Sequence, residues 1–319
     1  MREPTATATT AAIRVAGLTK DYGDRRAVDG LDVELPRGVV AGFIGPNGAG
    51  KTTTMAMLLG LVRPSSGTGE VLGVPLDQPA RYLPRVGALI EGPALYPGLS
   101  GADNLRVLAT MGGKDPSAIP ALLDLVGLGD RGDDRFKEYS LGMKQRLGIA
   151  GALLGDPELL ILDEPTNGLD PIGMREMREL IARVAGDERT VLVSSHLLGE
   201  VEQVCDWLIV IDRGAGVYAG PATEFLGGAQ PQLVLAPQHD GDLGRLHLLV
   251  AARGLNVERD GTQLVVACDP AREPRRLAAD LNRVAHENGI VLAELQQRRS
   301  NLETRYLALA PSHRRGVDS

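Results

Sequence analysis

The sequence predicts an α/β domain built on a parallel sheet, followed by a small α+β domain. Residues 45–52 form a glycine-rich segment between an apolar run, 39–44, and a helix-like stretch, which is the order of a strand, a tight loop and a helix. A second apolar run, residues 159–162, ends in two carboxylates and is typical of a strand buried on both faces of a parallel sheet. After residue 231 the pattern changes to short alternating segments.

Residues 45–52 have the spacing of a phosphate-binding loop. Its glycines allow backbone N–H groups to turn inward around a phosphate, and Lys51 adds a positive charge for the outer phosphates. The hydroxyl of Thr52 is placed to hold Mg²⁺. A glycine-rich turn with an accidental lysine is the alternative, which the strand before the loop and the helix after it disfavour. The residues predicted to bind the triphosphate are Gly45, Pro46, Asn47, Gly48, Ala49, Gly50, Lys51, Thr52 and Thr53.

Two carboxylates, Asp163 and Glu164, directly follow the apolar run at 159–162. Carboxylates at the carboxyl end of a parallel strand point into the ligand crevice. We expect Asp163 to hold Mg²⁺, through water, and Glu164 to polarise the water that attacks the γ-phosphate. A solvated strand end is the alternative, and the phosphate loop upstream disfavours it.

Residues 139–146, Tyr-Ser-Leu-Gly-Met-Lys-Gln-Arg, lie just ahead of these carboxylates and precede an apolar helix. This segment resembles the signature motif of the ABC ATPases, whose usual form is Leu-Ser-Gly-Gly-Gln. Ser140 and Gly142 match that form, whereas Leu141 and Met143 differ. The resemblance implies that Ser140 and Gly142 close on the γ-phosphate held by a partner subunit. A helix N-terminus with a hydroxyl and free N–H groups suits that anion.

Three further segments resemble motifs of the same family. Residues 167–170 are similar to the D-loop, which implies that Asp170 crosses a dimer interface and shapes the opposite site. His196 resembles the switch histidine that contacts the γ-phosphate and the attacking water, although a lone histidine is more often a satisfied surface or core residue. Tyr22, in Lys-Asp-Tyr-Gly at 20–23, resembles the aromatic residue that stacks on adenine.

Glu91 stands where the family places a glutamine whose amide reaches Mg²⁺ and senses the γ-phosphate. An ionised carboxylate cannot donate a hydrogen bond, and it adds negative charge beside phosphate unless a metal or proton offsets it. This substitution, with residues 93–100 and 103–105, resembles the branch of bacterial ABC ATPases that export lantibiotics, bacitracin and related antibiotics. The resemblance implies that Glu91 joins Thr52 and Asp163 at Mg²⁺.

The composition excludes several functional classes. Hydrophobic residues make up 43% and charged residues 24%, which is ordinary for a globular chain, and no run approaches the ~18 apolar residues of a membrane span. We therefore do not expect the chain itself to be a pore. A net charge of −7 disfavours a nucleic-acid partner. Cys205 and Cys268 lack metal-type spacing and are predicted to be reduced core residues.

Four segments are expected: a disordered tail at 1–12, an ABC nucleotide-binding domain at 13–228, an accessory domain at 229–310 and a tail at 311–319. The linker between the two domains is predicted within 226–229. The elements predicted in the accessory domain, in the order βαββαβα, are 232–236, 243–253, 255–258, 263–267, 273–287, 291–294 and 302–309. That order is typical of a small ferredoxin-like α+β domain. Such a domain is similar to the one that many antibiotic-exporter ATPases carry.

The resemblance implies the ATP-hydrolysing subunit of a bacterial exporter at the cytoplasmic face of the membrane. Two subunits, identical or paralogous, would enclose two ATP molecules and move a permease on a separate chain. The permease would dock on Leu95, Tyr96 and Leu99, unless these residues belong to the subdomain core. A soluble ABC ATPase acting on ribosomes or DNA is the alternative function, which the single cassette disfavours. A ligand-sensing role for residues after 231 stays open, as does the transported molecule.

Overall fold

The computed structural model describes residues 11–186, 189–227, 232–268, 273–298 and Tyr306. It divides into two compact units, the first ending at Ala222 and the second beginning at Thr223. The strands in chain order are β1 (Ala11–Tyr22), β2 (Arg25–Pro36), β3 (Val40–Ile44), β4 (Ser66–Val71), β5 (Val74–Pro75), β6 (Val86–Leu89), β7 (Leu159–Leu162), β8 (Thr190–Ser195), β9 (Trp207–Asp212), β10 (Ala215–Pro221), β11 (Gln232–Pro237), β12 (Val257–Asp260), β13 (Gln263–Ala267) and β14 (Leu292–Arg298).

The α-helices of the described ranges are α1 (Lys51–Leu58), α2 (Pro79–Tyr82), α3 (Gly101–Gly112), α4 (Ile119–Leu125), α5 (Leu141–Ala152), α6 (Pro171–Ala185), α7 (Leu198–Val201), α8 (Ala222–Gly227), α9 (Leu243–Ala251) and α10 (Pro274–Glu287). Short 3₁₀ helices occupy Leu83–Arg85, Pro116–Ala118, Gly129–Arg131, Phe136–Glu138 and Asp240–Asp242. Across these ranges, none of the helices has the length and apolar character needed to span a bilayer.

The first unit is built on a six-stranded sheet in the order β10-β9-β3-β8-β7-β6. β3 pairs in parallel with β8 and β9, and β7 pairs in parallel with β6 and β8, while β10 runs antiparallel at one edge. Every residue of β3 and β7 is buried, which explains why both are continuous apolar runs rather than alternating ones. The prediction of a parallel α/β sheet is therefore confirmed.

The register of this sheet places three strand ends at one edge. Ile44, the last residue of β3, pairs with Ser195 of β8, and Leu162, the last residue of β7, pairs with Val193 of β8. The loop after β3, the carboxylates after β7 and the histidine after β8 therefore emerge together. In open α/β sheets, ligands bind outside the carboxyl ends of such strands.

A helical region connects β6 to β7. Leu105 of α3, Leu123 of α4 and Leu147 of α5 share one buried cluster with the sheet. α3 begins where the Ser100 hydroxyl accepts a hydrogen bond from the backbone N–H of Asp103, and it ends at Gly113, whose φ of 61° lies in the left-handed region. A separate antiparallel sheet, in the order β2-β1-β4-β5, covers the phosphate-loop side of the same unit with its apolar face.

The second unit has the order βαββαβ, with an antiparallel sheet arranged β12-β13-β11-β14. This is the ferredoxin-like topology predicted from the sequence. Leu233 and Leu235 of β11 pack into one core with Leu246 of α9 and Leu281 of α10. The last predicted helix, 302–309, lies outside the described residues except for Tyr306.

Some predicted boundaries differ from the structure. β1 begins at Ala11, inside the predicted tail, because Ala11 and Ala12 are buried and Ala11 pairs with Pro36 of β2. Alanines in a run of Ala and Thr carry little strand signal of their own. Where the second unit begins, α8 extends to Gly227, into the predicted linker.

Both cysteines are free thiols. Cys268 is fully buried, whereas Cys205 is half-buried. Burial, with a smaller contribution from the charge of Asp206, raises the pKa of Cys205 to about 12. A thiol with so high a pKa is protonated at neutral pH.

Gly87 of β6 lies against the last turn of α5, where a Cβ atom would overlap the carbonyl oxygen of Ala152. We expect Gly87→Ala to lower the free energy of unfolding by about 1–3 kcal/mol, because a backbone carbonyl cannot rotate away as a side chain can. Gly98→Ala is the matched control, because among the described residues no atom beyond the two chain neighbours of Gly98 lies within 4 Å of a Cβ there. Urea unfolding followed by circular dichroism measures both variants, and equal losses would contradict the close packing of α5 on β6.

Candidate nucleotide-binding site

The loop after β3 has a backbone that glycine alone fits at two positions. Gly50 has a φ of 104°, and a Cβ there would overlap the carbonyl oxygen of Ala27. A Cβ at Gly45 would lie 2.5 Å from the carbonyl oxygen of Ile211. The loop can therefore turn sharply from the strand into α1 and direct its N–H groups inward, as a phosphate cradle requires.

A cavity of about 180 Å³ opens beside this loop. The residues that line it are Arg25, Ala27, Pro46, Asn47, Gly48, Gly50, Lys51, Thr52, Thr53 and Glu164. Seven of the nine predicted loop residues, including Lys51, thus line one concave site. The other two, Gly45 and Ala49, shape the backbone behind it. Ala49 is buried, and its N–H donates to the carbonyl of Pro46 at 3.1 Å.

The Lys51 side chain is only 6% exposed, and its ammonium group is fully engaged. Nζ donates to the carbonyl oxygen of Gly45 at 2.6 Å and lies 3.4 Å from Oε1 of Glu164. A buried cation needs such partners, because its desolvation would otherwise be costly. Carbonyl and carboxylate oxygens here provide the negative partners that phosphate oxygens could provide in their place.

Thr52 and Asp163 are in direct contact. The Thr52 hydroxyl donates to Oδ2 of Asp163 at 2.9 Å, and Asp163 is buried at the end of β7. A hydroxyl and a carboxylate are hard oxygen donors of the kind that Mg²⁺ prefers. Across the described ranges no group of three His, Cys, Asp or Glu side chains could hold a metal alone. The donor set therefore fits a Mg²⁺ ion that takes its remaining ligands from phosphate and water.

Glu164 links the phosphate loop to the histidine after β8. Its Oε2 lies 2.8 Å from Nδ1 of His196, while its Oε1 faces Lys51. The structure thus brings together Lys51, Glu164 and His196, the three residues predicted to be catalytic, from the ends of three strands. Their arrangement can place a carboxylate base and an imidazole beside the outermost phosphate of a nucleotide bound in the loop.

Two other predicted residues, Tyr22 and Glu91, are not among those that line the cavity. Tyr22, at the end of β1, is 49% exposed, and the Lys20 ammonium lies 5.0 Å from the centroid of its ring. Glu91 follows β6, is exposed and has a φ of 56°. The carbonyl oxygen of Leu89, two residues before Glu91, accepts a hydrogen bond from the N–H of Asp163 at 2.8 Å. The Glu91 carboxylate itself forms no hydrogen bond or ion pair with described residues.

Ser140, Gly142 and Asp170 do not line the cavity. Ser140 is exposed and caps α5, accepting a hydrogen bond from the N–H of Met143 at 3.2 Å. Asp170 caps α6 in the same way, accepting from the N–H of Gly173 at 2.8 Å. Both helix N-termini therefore present polar groups to the surface, outside the cavity beside the phosphate loop.

The two residues that depart from the usual signature have different surroundings. Leu141 is 47% exposed, and its Cδ2 lies 3.0 Å from the position a Cβ would take at Gly168. The Leu141 side chain thus packs against the segment that resembles the D-loop. Met143 instead packs against the buried core of the helical region.

Sequence reasoning missed two residues of the site, Arg25 and Ser194. Arg25 lines the cavity, with Nη2 3.8 Å from the position of a Cβ at Gly48, and it forms no hydrogen bond or ion pair with described residues. The neighbouring Arg26 instead pairs with Asp21 and Asp29. Nothing in the sequence distinguishes these adjacent arginines, since only the hairpin register decides which one faces the loop.

The Ser194 hydroxyl lies between the two carboxylates after β7. It donates to Oδ1 of Asp163 at 2.5 Å and accepts a hydrogen bond from the N–H of Glu164 at 2.8 Å. The signal available in the sequence was a hydroxyl residue near the end of a buried strand, two positions before His196.

Comparisons with known proteins agree with this geometry. Residues 28–167 match the family model described as ABC transporter. The lantibiotic transport ATP-binding protein SrtF of Streptococcus pyogenes is 46% identical over 202 residues, covering 63% of this chain and 87% of that protein. The daunorubicin/doxorubicin resistance ATP-binding protein DrrA of Streptomyces peucetius is 35% identical over 309 residues, covering 94% of this chain and 92% of that protein.

A solved structure described as the ATP binding subunit of an ABC transporter superposes with a TM-score of 0.60 at 30% identity, covering 68% of this chain and 92% of its own. The family predicted from the motifs is confirmed by these matches, which extend over the phosphate loop, the helical region and the carboxylates. The chain is therefore a member of the ABC transporter family, in which it is an ATP-binding and ATP-hydrolysing subunit.

Proposed function

We propose that this chain powers the export of an antibiotic, peptide or drug through a permease on a separate chain. The observation that carries the ATP-driven part is the contact of Lys51, Glu164 and His196 beside the phosphate loop. The names of SrtF and DrrA support the export part, since those relatives serve lantibiotic transport and daunorubicin/doxorubicin resistance. The match to DrrA extends over 94% of this chain and so includes the second unit.

Binding of ATP is assigned to the phosphate loop. The inward N–H groups would hold the β- and γ-phosphates, and the Lys51 ammonium would exchange its carbonyl and carboxylate partners for phosphate oxygens. Thr52 and Asp163 would hold Mg²⁺, which neutralises charge on the phosphate oxygens when bound. Glu91 would join them after a movement of its segment, and Tyr22 would stack on adenine.

Hydrolysis is assigned to Glu164. A water oxygen attacks the γ-phosphorus, one water proton passes to the Glu164 carboxylate, and the bond to the β–γ bridging oxygen breaks with its electron pair going to ADP. Glu164 can serve only once Lys51 has moved to phosphate, because the ammonium otherwise pairs with the carboxylate. His196, already 2.8 Å from Oε2, would hold the carboxylate and the water in place.

A second ATPase subunit, identical or paralogous, is proposed to complete each site. Ser140, Gly142 and Asp170 lie outside the cavity of their own subunit, at exposed helix N-termini. The α5 N-terminus suits an anion, so Ser140 and Gly142 would close on the γ-phosphate bound by the partner. Asp170 would cross the dimer interface and shape the opposite site.

The permease is proposed to dock after Glu91, which would hold the chain at the cytoplasmic face of the membrane. Tyr96 is 58% exposed there and can meet a partner. Leu95 instead packs against the core of the helical region, and Leu99 is half-buried. Tyr96 is thus the stronger docking candidate of the three.

Glu164→Gln should lower kcat for ATP hydrolysis by about 10²–10⁴, because the amide cannot accept the water proton, while ATP binding is retained. Glu179→Gln, on the exposed face of α6, is the matched control and should hydrolyse ATP at the parental rate. Phosphate release and equilibrium ATP binding measure the two effects. A rate of ATP hydrolysis by Glu164→Gln within threefold of the parental rate would contradict the assignment of Glu164 as the base. When the variant is co-expressed with the permease, export should be lost in parallel with hydrolysis.

Arg25→Ala should weaken ATP binding by about 2–10-fold, because a free guanidinium beside the loop can pair with phosphate. Arg26→Ala is the control, since Asp21 and Asp29 already engage that guanidinium. The loss of ATP affinity in Arg25→Ala should become smaller as the salt concentration rises from about 0.1 M to 1 M, because salt screens an exposed charge. Equal losses of affinity in the two variants would contradict a specific role for Arg25.

A further inference from the structure

Ser194 is a fully buried residue of β8 whose hydroxyl contacts both carboxylate residues of the site. The backbone N–H of Glu164 can only donate, so the Ser194 oxygen accepts there. Its single proton is then left for Oδ1 of Asp163. The direction of both hydrogen bonds is therefore fixed by chemistry, and the hydroxyl has no proton left for another partner.

The Asp163 carboxylate is held from two sides. Ser194 donates to Oδ1, while the Thr52 hydroxyl donates to Oδ2. Rotation of the carboxylate would break both hydrogen bonds in a buried environment, where unpaired polar atoms are costly. Ser194 therefore fixes the orientation in which Oδ2 faces the phosphate loop.

The backbone of Glu164 is held by the same hydroxyl. Glu164 has a φ of 48°, in the left-handed region that residues with a Cβ seldom adopt. Its N–H donates to Ser194 and its carbonyl accepts from the N–H of Asn167 at 3.0 Å, so the turn is fixed at both ends. In this conformation the side chain reaches Lys51 and His196.

The strand register explains why Ser194, rather than Ser195, takes this position. Consecutive strand residues point to opposite faces, and Val193 pairs with Leu162 immediately before Asp163. Ser195 is also buried, but its hydroxyl accepts a hydrogen bond from the N–H of Leu197 at 2.9 Å. The chain thus offers an adjacent buried serine without contact to either carboxylate.

We propose that Ser194 is a positioning residue of the hydrolytic centre, whose hydroxyl fixes the water-activating Glu164 relative to the metal-holding Asp163. This inference rests on the roles proposed above for those two carboxylates. Ser194 touches neither phosphate nor water in this account. It acts because a displacement of a catalytic group by about 1 Å can lower a rate by about 10².

The test compares Ser194→Ala, Ser194→Thr and Ser195→Ala in the full-length chain. Ser194→Ala should lower kcat by about 10–100-fold, because Glu164 is no longer held in place. ATP affinity measured with EDTA should change by less than about twofold, because no phosphate contact is lost. In the presence of ATP, the Mg²⁺ concentration that gives half-maximal binding should rise. Ser194→Thr keeps the hydroxyl and should restore most of kcat, and Ser195→Ala should leave the Mg²⁺ dependence unchanged.

Loss of a buried hydrogen bond also lowers stability, so each rate is measured at a temperature where circular dichroism shows the variant fully folded. Ser194→Cys, which keeps the size of the side chain with a weaker donor, serves where Ser194→Ala gives too little folded protein. It should likewise lower kcat while leaving metal-free ATP affinity unchanged.

A double-mutant cycle with Glu164→Gln decides whether Ser194 acts through Glu164. On the Glu164→Gln background, Ser194→Ala should lower kcat by less than about threefold, because the group that it positions has already lost its function. The inference alone would be overturned if the fold-losses of kcat in the two single variants multiplied fully in the double variant. It would also be overturned if kcat of Ser194→Ala lay within threefold of the parental value. A parental rate in Glu164→Gln would instead overturn the proposed function, and with it the inference.

Discussion

The parallel register of β3, β7 and β8 is the constraint on which the site depends. Ile44 pairs with Ser195 and Leu162 pairs with Val193, so the residues that follow these strands emerge within contact distance. Continuous apolar runs make this register possible, because strands buried on both faces can form only the core of a sheet. The close approach of α5 to β6 at Gly87 fixes the helical region, and with it Ser140, to the same sheet.

Charge balance within the site follows from that register. Burial of the Lys51 ammonium group without partners would carry a high desolvation cost. The carbonyl oxygen of Gly45 and the carboxylate of Glu164 offset this cost. Glu164 is in turn shared between Lys51 and His196, and Asp163 is shared between two hydroxyls. A triphosphate would replace the carboxylate as the partner of Lys51, which frees Glu164 for water. Binding of the nucleotide would thus free Glu164 to act as the base in hydrolysis of that same nucleotide.

Much of the fold and the site could be predicted from the sequence, because phosphate loops and buried parallel strands have strong local patterns. The βαββαβ order was also predictable, since each of its segments shows its own periodicity. The start of β1 at Ala11 was not predictable from the sequence, because the burial of Ala11 depends on its pairing with β2. Arg25 and Ser194 were missed for the same reason: a cation or hydroxyl becomes functional through the register that decides which way it points. Glu91 was predicted at the metal, whereas the structure shows its carboxylate without a partner among the described residues.

In the proposed dimer, each hydrolytic centre joins the strand ends of one subunit to the α5 N-terminus of another. Mixing equal amounts of a Lys51→Ala chain and a Ser140→Ala chain tests it most directly. Each variant alone should be nearly inactive, and the mixture should regain up to about a quarter of the parental ATPase rate, because half of random dimers are mixed and each of these holds one intact site. A mixture no more active than the sum of the two separate variants would contradict a site shared between two copies of this chain.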